Sequence, residues 1–172
     1  MHARKRIRPA AHDHRARSLA MAIALFAFAT AAAAADLPTQ FDPSRDAAAD
    51  VAHAVALANA QGKHVIVDVG GEWCSWCHVL DRFIADNADV RSLVDAKYIL
   101  VKVNFSKENR NEALLARWPK VAGYPHLFVL DANGRLLHSQ DTGRLESGNG
   151  YDRRKFLAML QRWVLPGTSM RS

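Results

Sequence analysis

The chain has 172 residues, with 23 Lys and Arg against 17 Asp and Glu, a formal net charge of +6 at neutral pH. Six of those bases and one of those acids lie in the first 35 residues, so the remaining chain of about 137 residues carries a net charge of about +1. The basic balance therefore belongs to the N-terminus and gives no support for nucleic-acid binding, and the remainder has the length of one domain.

The first 35 residues predict a secretory signal peptide. Basic residues up to Arg17 precede an uncharged segment, residues 19–35, which ends in the cleavage pattern Ala33-Ala34-Ala35. We expect cleavage before Asp36, export to the periplasm and a single domain over residues 36–172. The alternative is an uncleaved membrane anchor, although a helix of about 17 residues would span only about 25 Å of a hydrocarbon core about 30 Å thick.

The segment that follows predicts a capped helix and then a buried strand. With Asp42 as N-cap, Pro43 at the first helical position and Gly62 after the end, a helix is expected over residues 44–60. The β-branched run at residues 64–69 is typical of a buried strand.

The only two cysteines, Cys74 and Cys77, come directly after this strand, at the start of a second predicted helix over residues 74–85. A C-x-x-C pair placed in this way indicates a dithiol redox centre. A purely structural disulfide is the alternative, but closing so short a loop would contribute only about 2 kcal/mol, against about 3 for a 15-residue loop.

The rest of the sequence predicts further alternation of helices and strands, with one hairpin. The predicted elements are a helical turn or two at 89–95, a strand at 98–105, a helix at 111–118, hairpin strands at 127–130 and 135–139, a loop at 142–150 and a helix at 151–164. This alternation predicts an α/β protein with a mixed sheet covered by helices on both faces.

Three motifs, in this order, resemble the thioredoxin superfamily. They are the strand and turn at 67–74, with Asp68 six positions before Cys74, then Lys102-Val103-Asn104 on the next strand, and Val121-Ala122-Gly123-Tyr124-Pro125 before the hairpin. The resemblance implies the thioredoxin fold with an additional N-terminal helix, as in exported thioredoxin-like proteins. The sequence departs from the family pattern at Ser75-Trp76, where thioredoxins have Gly-Pro.

Thiol chemistry and the resemblance together predict catalytic roles for four residues. Cys74 is expected to be the nucleophile, because the N-terminus of a helix favours a thiolate, and Cys77 is expected to resolve the mixed disulfide. The resemblance implies that Asp68 relays protons to and from Cys77, with Lys102 nearby.

The resemblance also implies a cis peptide bond between Tyr124 and Pro125, which would place this segment against the dithiol. Substrate contact is expected from residues around it: Trp73, Trp76, Tyr124, Pro125 and His126. His126 stands where thioredoxins usually have threonine, and we expect it to affect the thiolate, with capping of a strand as the alternative. The other histidines after residue 35 are expected at the surface: His53, His64, His78 and His138.

Two other interpretations use the same motif. Cys74 to His78 is also a C-x-x-C-H haem-attachment pattern, with Met159 or His126 as a possible distal ligand. Cys74 and Cys77 with His78 or His126 could instead bind Cu(I) for delivery, although two thiols cannot complete a zinc site.

The sequence therefore predicts an exported protein-disulfide oxidoreductase that uses Cys74 and Cys77 as a redox-active disulfide. We expect it to act as a monomer, with no bound cofactor, no metal and no nucleic-acid partner. Its expected substrates are protein thiols and disulfides, and family analogy implies a membrane redox partner. Reduction is the favoured direction, and the identity of the clients is left open.

Overall fold

The structure is a computed structural model that describes residues 36–164. The predicted signal peptide, its cleavage site and the alternative membrane anchor fall in residues 1–35 and so lie outside the described residues. Between residues 36 and 164, none of the helices combines the length and the apolar character needed to cross a bilayer.

A four-stranded mixed sheet forms the centre of the fold. Its strands are β1 His64–Gly70, β2 Tyr98–Asn104, β3 His126–Leu130 and β4 Leu136–Asp141. They lie in the order β2-β1-β3-β4; β1 runs parallel to β2 and antiparallel to β3, and β3 runs antiparallel to β4. The predicted α/β class, buried first strand and hairpin are thus confirmed.

Within residues 36–164, five α-helices surround this sheet: α1 Ala47–Gln61, α2 Ser75–Asp86, α3 Ala88–Lys97, α4 Glu112–Leu115 and α5 Arg153–Arg162. One layer of the core joins residues of α1 and α4 to the sheet, and a second layer joins residues of α2, α3 and α5 to it. Helices therefore cover both faces of the sheet, as predicted, and α1 is the additional helix before β1.

The alternation of side chains along β1 assigns its residues to these two layers. Val65, Val67 and Val69 pack with α1 and α4, while Ile66 packs with the layer that contains α2, α3 and α5. Because successive residues of a strand point to opposite faces, Asp68 lies on the α2 side of the sheet. A carboxylate is thereby buried beneath the helix that begins at the cysteines.

The predicted start of the first helix is wrong. Asp42 accepts hydrogen bonds from the backbone nitrogen and hydroxyl of Ser44, at 2.8 and 2.7 Å, and so closes a local turn. The N-cap is Asp46, whose carboxylate accepts from the backbone nitrogens of Ala48 and Ala49 at 3.0 Å. The end is as predicted, because Gly62 takes the left-handed conformation, with φ of 63°.

Three other segments differ from their predicted form. Residues 142–150 contain a 3₁₀ turn, Thr142–Leu145, and a small hairpin of β5 Glu146–Ser147 and β6 Gly150–Tyr151. The helix expected over 111–118 is reduced to the four residues of α4, while the helical turn or two expected at 89–95 is extended to the ten residues of α3. Each difference depends on tertiary packing, which overrides local propensity in short segments.

The expectation that His64 faces solvent is also wrong. His64 is the first residue of β1 and is buried, with its ring 6.3 Å from the ring of Tyr98 on β2. It is enclosed because β1 is an inner strand with a neighbour on each side. His53 and His138 are half-buried, and His138 stacks on Trp163 with ring centroids 5.0 Å apart.

Candidate active site

Cys74 and Cys77 form a disulfide at the N-terminus of α2. Cys74 is the N-cap residue, and its Sγ accepts a hydrogen bond from the backbone nitrogen of Cys77 at 3.1 Å. A sulfur that accepts a helix N-terminal N–H is in an environment that favours the thiolate over the thiol once the disulfide is reduced. The geometry therefore suits a cysteine that attacks as an anion.

The two sulfurs lie beneath an apolar cover. Cys77 is fully buried and Cys74 is 4% exposed, and the two form one buried cluster with Phe41, with the half-buried Trp76 and Tyr124 at its margin. Phe41 was missed by the sequence analysis. The signal that could have found it is that it stands as a lone aromatic residue in the polar stretch before α1.

Gly70, at the end of β1, is needed for this close packing. A Cβ atom at this position would overlap Sγ of Cys77 and would lie 3.0 Å from Cζ of Phe41. The strand can approach the disulfide this closely only because it ends in a residue without a side chain.

Asp68 and Lys102 lie next to each other beneath α2. Nζ of Lys102 donates to Oδ2 of Asp68 at 3.1 Å and to Oδ1 of Asp81 at 2.6 Å. Asp81, on α2, is the second site residue that the sequence analysis missed; it lies four residues after Cys77, the spacing that places two residues on one face of a helix. One lysine thus bridges two carboxylates of different exposure.

Burial dominates the electrostatics of this group. Asp68 is 1% exposed, and this burial raises its pKa from 3.8 to about 6 against the opposing effect of Lys102. Its Oδ1 has no hydrogen-bond partner within residues 36–164. For Lys102, burial would lower the pKa, but the two carboxylates outweigh it and the pKa lies above its ordinary value.

Aromatic side chains surround the disulfide on two sides. Trp73 is 59% exposed, its Nε1 donates to the backbone oxygen of Phe105 at 2.7 Å, and its ring meets that of Tyr124 edge-on. Tyr124 in turn stacks on Phe105, with centroids 4.8 Å apart. Trp76 meets Tyr151 edge-on, with centroids 5.7 Å apart.

The Tyr124-Pro125 peptide bond is cis, which confirms that prediction. The Pro125 carbonyl oxygen accepts a hydrogen bond from the Thr142 hydroxyl at 2.6 Å, and Tyr124 packs at the margin of the disulfide. His126 is buried in the sheet, with Nε2 2.8 Å from the Ser139 hydroxyl, and its burial lowers its pKa. The ring of His126 thus makes its polar contact with β4.

A groove of about 640 Å³ opens beside Trp73. Its lining includes Phe41, Pro43 and Phe105, together with the charged side chains of Lys107 and Arg110. A second cavity of about 360 Å³ shares Phe105 and Arg110 with this groove and is also lined by Trp118 and Tyr124.

The loop between β2 and α4 is held in place by asparagine side chains. The side-chain nitrogen of Asn104 donates to the Asn109 carbonyl at 2.9 Å, and that of Asn111 donates back to the Asn104 carbonyl at 2.7 Å. Asn109 donates to the Pro43 carbonyl at 3.0 Å, which ties the loop to the segment before α1. The asparagine of the Lys102-Val103-Asn104 motif therefore helps to shape one wall of the groove.

The haem and copper interpretations find little support in the geometry. Cys77 is fully buried, and Nε2 of His78 lies 2.9 Å from the Glu72 carbonyl oxygen. Haem attachment needs both sulfurs and the histidine to be accessible, and this arrangement does not expose all three. Within the part of the chain that is described, no group of three or more His, Cys, Asp and Glu side chains is placed to hold a metal ion.

Comparison with known proteins agrees with this geometry. Residues 46–132, half of the chain, match the model of the family described as thioredoxin-like. The disulfide bond reductase DsbH of Chlamydia pneumoniae is 27% identical over 96 residues, covering 49% of this chain and 57% of that protein. The thiol:disulfide interchange protein DsbD of Citrobacter koseri is 28% identical over 79 residues, covering 46% of this chain and 14% of that protein. The chain therefore spans less than two thirds of the length of these relatives.

A solved structure of the disulphide isomerase of Xylella fastidiosa superposes with a TM-score of 0.62 at 22% sequence identity. The match covers 74% of this chain and 97% of that one. At this level of identity the likeness establishes the fold, which is the thioredoxin fold.

Proposed function

Because this chain belongs to the thioredoxin-like family, we propose that it is a thiol-disulfide oxidoreductase that works by dithiol-disulfide exchange at Cys74 and Cys77. The observation that carries the proposal is the disulfide between the only two cysteines of the chain, seated at a helix N-terminus. The relatives named as a disulfide bond reductase and a thiol:disulfide interchange protein support the same chemistry.

In the reducing direction the reaction starts from the dithiol. The Cys74 thiolate attacks one sulfur of a client disulfide, forms a mixed disulfide and releases the other client sulfur as a thiolate. Cys77 then loses its proton and attacks Sγ of Cys74, which releases the second client sulfur and closes the Cys74–Cys77 disulfide. Two electrons pass to the client, and the protein is oxidised.

Asp68 is the proposed acceptor of the Cys77 proton. A carboxyl group with a pKa near 6 can accept a proton from a thiol and give it up again near neutral pH, which an ordinary aspartate does poorly. Lys102 compensates the charge that appears on Asp68 in this step, because its ammonium donates to that carboxylate. Asp81 shares the same ammonium and keeps it in place.

Client binding is proposed to involve the aromatic residues around the disulfide and the cis-proline segment. Trp73 is exposed and precedes Cys74 in the chain, and Trp76 lies in the first turn of α2. Tyr124, which precedes the cis Pro125, lies at the margin of the disulfide. His126 is buried, so its proposed part is to support the Tyr124-Pro125 segment from within the sheet. These positions suit an extended client segment that lies across Cys74.

The proposed setting is the periplasm, where a reductant of this kind needs an electron donor. We propose a membrane redox partner that returns the disulfide to the dithiol, protein disulfides as substrates, and a monomeric enzyme without a bound cofactor. The proposal of export rests on the signal peptide predicted for residues 1–35.

The reduction potential of the Cys74–Cys77 pair tests the direction of electron flow. It can be read from tryptophan fluorescence in glutathione buffers, because Trp73 and Trp76 flank Cys74. A reduction potential of about −270 mV supports the proposal that the protein is a reductase. A potential of about −120 mV contradicts it and indicates an oxidant.

The order of attack is tested by a reciprocal pair of variants. With Cys77→Ser, incubation with a client disulfide should leave a stable mixed disulfide on Cys74, detectable by mass spectrometry. Cys74→Ser is the matched control and should trap nothing. Trapping on Cys77 in that control would reverse the assigned roles. If both variants still catalysed disulfide exchange as the wild type does, the proposed function would be refuted.

A further inference from the structure

Phe41 occupies an unusual place for a residue outside any helix or strand. It is 1% exposed, it belongs to one buried cluster with Cys74 and Cys77, and the Lys102 ammonium lies 4.1 Å from the centroid of its ring. The ring therefore contacts both parts of the buried chemistry: the disulfide and the lysine that pairs with Asp68.

The segment that carries Phe41 is tied down on both sides. The backbone nitrogen of Phe41 donates to Oε1 of Glu72 at 2.9 Å, next to the redox turn. Two residues later, the Pro43 carbonyl accepts from the Asn109 side chain at 3.0 Å. Two contacts with distant parts of the chain hold the ring in place, in addition to its own packing.

Phe41 also lines the groove of about 640 Å³ beside Trp73. The same residue is thus a wall of an open groove and the cover of Cys77 and Lys102, both of which are buried. Truncating this side chain would connect the water of the groove with the buried group.

We propose that Phe41 is a positioning residue that keeps the water of this groove away from Cys77 and the Lys102–Asp68 pair, and that it thereby sets the pH range in which thiol exchange proceeds. The second part of this statement rests on the proposed function, while the exclusion of water can be measured without it.

The direction of the effect follows from the groups that face Asp68. These are Lys102 from β2, Asp81 from α2 and Tyr151 from β6. Burial is the main cause of the raised pKa of Asp68, and Lys102 opposes it. Water admitted beside this carboxylate would stabilise its charged form, so opening the cover should lower the pKa of Asp68.

Three variants of the full chain test the proposal. Phe41→Ala opens the cover, while Phe41→Leu removes the ring but retains most of the volume. Phe128→Ala is the matched control, because Phe128 is equally buried but lies on the face of the sheet opposite Asp68. Where Phe41→Ala does not fold, Phe41→Val takes its place, with the same direction of change expected.

Two measurements do not depend on activity. The first is the titration of the Asp68 carboxyl by carbon-detected NMR in the disulfide form. We expect Asp68 to titrate about one pH unit lower in Phe41→Ala, and as in the wild type in Phe41→Leu and Phe128→Ala. The second is the alkylation rate of Cys77 in a Cys74→Ser background, which should rise at least about tenfold with Phe41→Ala alone.

Unchanged values of both quantities in Phe41→Ala would overturn the proposal. It would equally be overturned if Phe128→Ala gave the same shifts, because the effect would then be general loosening. A Phe41→Leu variant that behaves like Phe41→Ala would assign the effect to the ring over Lys102 rather than to exclusion of water. If the wild type does not exchange disulfides, the proposed function is rejected. The Asp68 titration and the Cys77 alkylation rate would still show whether Phe41 excludes water.

Discussion

Replacing Asp68 by asparagine should stabilise the oxidised protein at neutral and alkaline pH but not at acid pH. Asparagine has nearly the same shape and carries no charge. The pKa of Asp68 is about 6 in the folded protein, where burial raises it from the ordinary 3.8. Because the folded state holds this proton more tightly than the unfolded state, stability declines as the pH rises from about 4 to about 6, and the deficit persists above that range.

The size of the effect follows from the same two values. The difference between about 6 and 3.8, at about 1.4 kcal/mol per pH unit, gives a penalty of roughly 3 kcal/mol for the ionised group. Asp68→Asn escapes this penalty but loses the charged partner of Lys102, whose ammonium keeps the Asp81 carboxylate at 2.6 Å. We therefore expect a net gain of about 1–3 kcal/mol in the free energy of unfolding at pH 8.

Chemical denaturation of the disulfide forms between pH 4 and pH 8 measures this gain. The difference between Asp68→Asn and the wild type should shrink towards zero at pH 4, where Asp68 is protonated. Asp81→Asn is the matched control, because it removes the half-buried carboxylate from the same lysine and should not stabilise the protein at pH 8. The reasoning would be refuted if Asp68→Asn showed no gain at pH 8, or the same gain at pH 4, because burial would then not dominate the energetics of Asp68.

Two further predictions concern the packing at the site and the start of α1. Gly70→Ala should lower the free energy of unfolding by about 1–3 kcal/mol in urea denaturation, because the new Cβ overlaps Sγ of Cys77; a change below about 0.5 kcal/mol would contradict this close approach. Asp46→Ala should cost about 1 kcal/mol in thermal or chemical denaturation, and Asp42→Ala clearly less, because only Asp46 caps the helix; equal losses would contradict that assignment.

Much of the fold and the centre of the site could be predicted from local sequence. The β-branched run of β1 leads directly to the two cysteines, and the turn 131–134 sets the hairpin of β3 and β4. The pairing of Asp68 with Lys102 followed from the family resemblance, and both side chains lie where two neighbouring parallel strands face α2.

The rest depended on contacts between residues far apart in the chain or on competition between similar local signals. Phe41 lies beside the disulfide in a segment that is tied to Glu72, 31 positions away, and to Asn109. Two aspartates within five residues could each have capped α1, and a hydrogen bond from Ser44 commits Asp42 to a turn instead. His64 is enclosed by its place in the strand order, which its own sequence does not reveal.

The position of β1 in the sheet has a consequence for motion at the redox centre. β1 is paired along its whole length with β2 on one side, along most of it with β3 on the other, and all seven of its residues are buried. Amide protons of such a strand exchange with solvent only in the rarest and largest openings of a protein. In the described part of the chain β4 pairs with β3 alone, so it can fray by itself. The turn that carries Cys74 therefore extends from the slowest-exchanging strand of the sheet, so oxidation and reduction take place on a base that stays folded while the edge of the sheet fluctuates.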